Sequence, residues 1–156
     1  MDKSLLQHLV CQRLEADLEL LVNAAEAARQ AATHEESKAE NKYDTRGLEA
    51  SYLAAGQSRR VEEIRRALGA WRMLQPRPYD DASGIQLGAL VWLEAADGRR
   101  QCLLLGPDGA GLKLRQDEQE IVLITAQAPL GRQLLGRGPG DEVQLGQAVW
   151  HILRVE

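Results

Sequence analysis

The chain has 156 residues, 44% of them hydrophobic and 27% charged, with a formal net charge of −4, a balance that excludes both a disordered and a membrane-embedded chain. Aromatic residues are scarce, with 3 Trp, 3 Tyr and no Phe, so the core must come from Leu, Val, Ile and Ala, and a surface that stacks exposed bases is disfavoured. The excess of 23 acidic over 19 basic residues argues against a general DNA binder, whose affinity comes from neutralising phosphates.

Cys11 and Cys102 stand far apart inside apolar stretches and read as small buried hydrophobes of a reducing compartment. No apolar run reaches the ~18 residues needed to span a bilayer. Asp2, Lys3 and Ser4 open an amphipathic stretch and not a signal peptide. The expected location is cytoplasmic, with no membrane partner.

In chain order, the first element keeps a heptad. Cys11, Leu14, Leu18, Leu21, Ala25, Ala28 and Ala32 step by three and four, which predicts a helix with one apolar seam. A second seam runs through Ala50, Ala54, Gln57, Val61, Ile64, Leu68 and Trp71. The polar stretch 33–47 joins them, so residues 1–75 are expected to form an antiparallel coiled-coil hairpin whose tip is 33–47. The seams hold Leu, Ile, Val and Trp away from the tip and alanine near it. Alanine lets helices approach closely, but it is also the best helix former, and composition does not separate the two reasons.

Pro76 and Pro78 mark a change of character, with 76–84 read as a linker. Beyond it, residues 85–156 carry short branched-rich runs at 85–93, 101–105, 112–115, 121–125, 142–145 and 149–155. Asp97-Gly98 and Gly140-Asp141 signal reversals. Pro129 opens one short helix that places Leu130, Leu134 and Leu135 on one face and stops at Gly136. Ala128 occupies the capping position, at a cost of about 1 kcal/mol relative to Ser. The expectation is an α+β chain: helices first, then a small antiparallel sheet with one helix.

The candidate chemistry is narrow. The run 106–111 is glycine-rich but lacks the Gly-Lys-Ser/Thr ending and opens no helix, so it reads as a turn and not a phosphate loop. His8, His34 and His151 have no neighbours at triad or zinc spacing. Arg59, Arg60, Arg65 and Arg66 alternate with Glu62 and Glu63, either as a solvated face with a Glu62–Arg66 pair or as a basic patch facing RNA or a protein. At the tip, Glu35, Glu36, Glu40 and Asp44 crowd together with Lys38, Lys42 and Arg46. This is either an ordinary charged loop or a set of carboxylates able to share a hard cation such as Mg²⁺ with ligands from elsewhere.

Ala128-Pro129-Leu130-Gly131-Arg132-Gln133-Leu134-Leu135-Gly136, followed by Gly140-Asp141-Glu142-Val143, resembles the Ser-Pro-Leu-Gly-Arg-Ala-Leu-Leu-Gly and Gly-Asp-x-Val signature of the Gre factors, the bacterial transcript cleavage factors. Leu87-Gly88 and Asp97-Gly98 fit as well, and Lys38, Glu40, Asn41 and Tyr43 resemble part of the family's tip. His34-Glu35-Glu36 stands where that tip has Gly-Asp. The resemblance implies an FKBP-like domain over 85–156 and a bacterial RNA polymerase-binding elongation factor whose coiled coil enters the secondary channel. It further implies that the tip promotes Mg-dependent cleavage of backtracked RNA at its 3′ end, without independent sequence-specific DNA binding. Glu40 would be a catalytic and metal-binding carboxylate, with Glu36, Asp44 and Glu35 as candidate companions. Pro129, Leu130, Gly131 and Arg132 would grip the polymerase. The chain would then be a cofactor of the polymerase's own RNA cleavage and not an enzyme by itself. Two alternatives stay open: a non-catalytic channel regulator of the same polymerase, and a helical-hairpin adaptor for another partner.

Overall fold

The structure, a computed structural model, describes residues 1–38 and 46–156, with side chains other than those of 32 and 35–55. Two long helices come first, α1 (Lys3–Lys38) and α2 (Arg46–Met73). Asp2 caps α1, its carboxylate accepting the amides of Ser4 and Leu5 at 2.9 and 3.1 Å. Six strands and a short helix follow: β1 (Leu90–Ala95), β2 (Arg100–Gly106), β3 (Lys113–Gln116), β4 (Gln119–Thr125), α3 (Pro129–Leu134), β5 (Glu142–Leu145) and β6 (Ala148–Val155). The α+β order expected from the sequence is the one observed.

The chain divides into two compact units, Gln12–Leu68 and the combination of Met1–Cys11 with Gly69–Glu156. In the first, the described seam positions are buried or half-buried. Leu14, Ala28, Val61, Ile64 and Leu68 are buried, whereas Leu20 and Val22, off the seam, are exposed. Gln57 interrupts the seam, and its side-chain carbonyl oxygen is buried without a hydrogen-bond partner among the described residues.

The second unit is built on one sheet of order β3-β4-β2-β1-β6-β5. Its pairing differs from the all-antiparallel expectation: β2 and β4 run parallel, while the other four pairings are antiparallel. The chain leaves β2, forms β3 at the outer edge, reverses, and inserts β4 between β3 and β2. That reversal at Asp117-Glu118 puts two non-glycine residues at positive φ, 50° and 66°, a conformation that costs of order 1 kcal/mol each.

Side chains alternate between the two faces of the sheet as the pleat requires, and β2, central in the sheet, is buried on both from Cys102 to Gly106. Val91, Leu93, Leu103, Leu105, Trp150 and Ile152 join Leu130 and Leu134 of α3 in one apolar cluster. On the opposite face Cys102, Leu104, Ile121 and Leu123 are also buried, their registers pairing Cys102 with Ile121 and Leu104 with Leu123. Burial pushes the Cys102 thiol up to about 12, the behaviour of an inert core cysteine. Trp71, 1% exposed, packs at Gly106, where a Cβ would fall 2.9 Å from both its Cη2 and the Leu123 Cδ1. Its indole nitrogen donates to the Asp108 carbonyl at 2.8 Å. The glycine-rich run at 106–111 is thus the seat of a buried tryptophan and more than a solvent turn.

The predicted strand at 85–93 is shorter than expected. Ile85 instead exchanges backbone hydrogen bonds with residues 136 and 137, and Gly84 and Gly88 hold positive φ of 66° and 90°, so only Leu90 onward enters the sheet.

Candidate functional site

The described part of the candidate site is the corner that begins at Ala128. This residue has extended backbone (φ −65°, ψ 149°) and its side chain makes no capping hydrogen bond. Pro129 takes the first helical position, where its missing N–H leaves nothing unsatisfied. A128S is expected to supply the absent cap and stabilise the protein by about 1 kcal/mol. Urea unfolding checks this: the midpoint should rise at constant slope, and an unchanged midpoint would exclude the cap.

Each following residue has a separate task. Leu130 and Leu134 are buried. Gly131 lies so close to the end of β4 that a Cβ would overlap the Thr125 carbonyl oxygen and stand 2.8 Å from its carbon. Pro129 and Arg132 are exposed. Leu135, expected on one face with Leu130 and Leu134, is 42% exposed, because the helix ends at Leu134 and Leu135 takes φ −53°, ψ 127°. Of the four residues nominated to grip a partner, Pro129 and Arg132 therefore present themselves, while Leu130 and Gly131 hold the helix against the sheet.

The residues after the helix are pinned in turn. Gly136, at φ 76°, donates to the Ile85 carbonyl at 2.9 Å, and Ile85 donates to that of Arg137 at 2.8 Å. Gly140 adopts φ 90° and donates to the Ile152 carbonyl at 2.8 Å. The Asp141 carboxylate accepts the Gly138 amide at 2.9 Å. A side chain at Gly138 would overlap the Tyr79 hydroxyl, so the segment read as a linker lies against this corner. Desolvation, followed by a hydrogen bond to Asp81, raises the Tyr79 phenol above its ordinary value.

Sequence reasoning missed Gln133. Its amide nitrogen donates to the Gln144 carbonyl at 2.8 Å, and its amide oxygen accepts the Gln144 amide at 2.8 Å. A glutamine in a short surface helix carries no sequence signal for such a pairing, and only its departure from the alanine of the resembled signature sets it apart.

At the tip, Glu40 and Asp44 lie outside the described residues, and Glu35 and Glu36 fall within α1 with their side chains outside the description. Among the described residues no group of three or more His, Cys, Asp or Glu is placed to hold a metal ion. His8 and His151 are exposed, and His151 Nδ1 stands 3.5 Å from Glu142 Oε1. Arg59, Arg60, Arg65 and Arg66 of α2 are exposed. Glu62 pairs with Arg65 at 2.8 Å, one turn position short of the expected Arg66, and Arg60 pairs with Glu63 at 3.0 Å. Such exposed pairs contribute little stability. No described helix is long and apolar enough to cross a membrane.

Three solved structures align over nearly the whole chain. GreA factor homolog 1 (Gfh1) of Thermus thermophilus is 23% identical, with 94% of each chain covered and a TM-score of 0.37. All three are Gre-factor homologues. A structure described as the transcription factor Gfh1 is 19% identical over 94% of this chain and 92% of its own, at TM-score 0.37. Thermus aquaticus Gfh1 is 23% identical over 93% and 92%, at TM-score 0.38. No protein-family model and no curated protein matches the chain.

Proposed function

We propose that this chain is a Gre-like transcription elongation factor of the bacterial cytoplasm that binds RNA polymerase and acts on backtracked RNA. The observation that carries the reading is the corner from Ala128 to Val143. Its signature-like residues are those with individual structural reasons to be there: the N1 proline, the glycine against Thr125, the buried leucines and the Gly140-Asp141 reversal. They leave Pro129 and Arg132 outward, as a partner-gripping corner requires.

In this reading the corner grips the rim of the polymerase's secondary channel and the two long helices carry the tip inward. Glu40, with Glu36 or Asp44 and with Glu35 adjacent, contributes carboxylate oxygens toward a magnesium ion shared with the polymerase. The ion, when bound, activates water and neutralises charge for in-line attack on the RNA. A backtracked elongation complex given the protein should release short 3′ fragments in a Mg-dependent way. Glu40→Ala should reduce that release about tenfold or more while binding persists. Unchanged cutting would remove Glu40 from the mechanism.

His34-Glu35-Glu36 in place of the family's Gly-Asp favours a second reading, a non-catalytic regulator in the same channel. Binding without fragment release would decide for it. Failure to bind polymerase core would favour the adaptor.

A further inference from the structure

We propose that Gln133 is a positioning residue for the partner-gripping corner, fixing the pose of α3 through the edge of the sheet; this rests on the polymerase reading above. β5 is an edge strand, so its outward backbone groups have no neighbouring strand to pair with. The Gln133 side-chain amide supplies one donor and one acceptor to the N–H and C=O of a single residue, Gln144, both at 2.8 Å. This is the pair of bonds that another antiparallel strand would make.

The same bonds act on α3. A six-residue helix does not hold its shape without tertiary support. Leu130 and Leu134 supply apolar burial, which is non-directional and tolerates small rotations of the helix. The two hydrogen bonds are directional and reach a fixed backbone across eleven residues of chain. They set the rotation of α3 about its axis, and with it the direction of Arg132, the neighbouring exposed residue. Gln133 thus touches no partner and acts through Arg132.

The test uses the full chain, bacterial RNA polymerase core and the variants Q133A, Q133E, R132A and R132A/Q133A. In Q133A, hydrogen exchange at the Gln144 amide should accelerate about tenfold or more. Exchange at the Ile152 amide, which bonds the Asp141 carbonyl at 2.8 Å, should change less than about twofold, showing that the sheet is intact. Affinity for polymerase core should fall about tenfold. Q133E keeps an acceptor for the Gln144 amide but sets a carboxylate against its carbonyl, and should bind as weakly as Q133A. The double variant should bind no more weakly than R132A, because the clamp works only through that side chain.

Wild-type affinity in Q133A with an unprotected Gln144 amide would overturn the positioning role alone. So would losses that multiply in the double variant, or a common loss of protection at Gln144 and Ile152. A wild-type chain that does not bind polymerase would overturn the polymerase reading and this role with it.

Discussion

Trp71→Ala should lower the stability of the sheet-containing unit by about 4 kcal/mol, the range for emptying a buried aromatic site. Trp71 is 1% exposed, and its ring fills the space that Gly106 leaves by having no side chain. Alanine would open a cavity between a glycine and Leu123, neither of which can extend to fill it. It would also strip the Asp108 carbonyl of the indole donor at 2.8 Å, leaving an acceptor to find water in a half-buried loop. Trp71→Phe separates the contributions. The phenyl ring keeps much of the packing but cannot donate, so its cost should be about half that of alanine. Urea unfolding followed by far-ultraviolet circular dichroism and by exchange of the strand amides measures both variants. Equal losses for Phe and Ala would place the whole effect in the hydrogen bond, and a loss below about 1 kcal/mol for Ala would show that the cavity collapses.

That seat shows where a sequence stops being readable. The positions in 106–111 are plainly irregular, and their glycines exclude a strand or a helix. What they accommodate lies 37 residues before Asp108, at the end of α2, and no local pattern links Trp71 to Gly106. The helical seams were legible for the opposite reason, since a repeat of three and four is a local property and burial of Leu14, Val61, Ile64 and Leu68 follows it. Strand positions were likewise legible from branched runs, but pairing direction was not. Nothing in residues 101–105 and 121–125 distinguishes the parallel partner found for β2 from an antiparallel one, because side-chain alternation is the same in both. The turn at Asp117-Glu118 was invisible as well. It takes left-handed backbone without the glycine or asparagine that usually announces it.

The candidate site divides along the same line. Pro129, Gly136 and Gly140-Asp141 are punctuation, and punctuation is legible in sequence because each fixes its own backbone. The roles inside the helix were not. Gly131 looks like a surface residue of a recognition motif until the sheet beneath it is known, and Gln133 looks like any solvated amide until Gln144 is brought opposite. A helical wheel puts Leu135 with Leu130 and Leu134 because it continues the pattern past the point where the helix ends.

Gly131→Ala is expected to cost about 3 kcal/mol, although alanine is the better helix former by about 1 kcal/mol. The sign is decided by what stands next to the backbone. Gly131 does not have positive φ, so no conformational argument protects it. Its Cβ would overlap the Thr125 carbonyl oxygen and approach the Ala126 Cα to 3.1 Å. Both are backbone atoms, and Thr125 ends β4, paired in register with Gly106 of β2, so the obstacle cannot swing aside as a flexible side chain would. Relief requires α3 to lift from the sheet, which would draw Leu130 and Leu134 out of the apolar cluster and stretch the Gln133–Gln144 pair. The same substitution at Gly56, whose Cβ would meet nothing within 4 Å, supplies the control: there alanine should stabilise by up to about 1 kcal/mol. Thermal and urea unfolding of both variants gives the comparison. Two stabilised variants would mean that the corner yields to a methyl group, and that the close approach of α3 to β4 is not what seats the helix on the sheet.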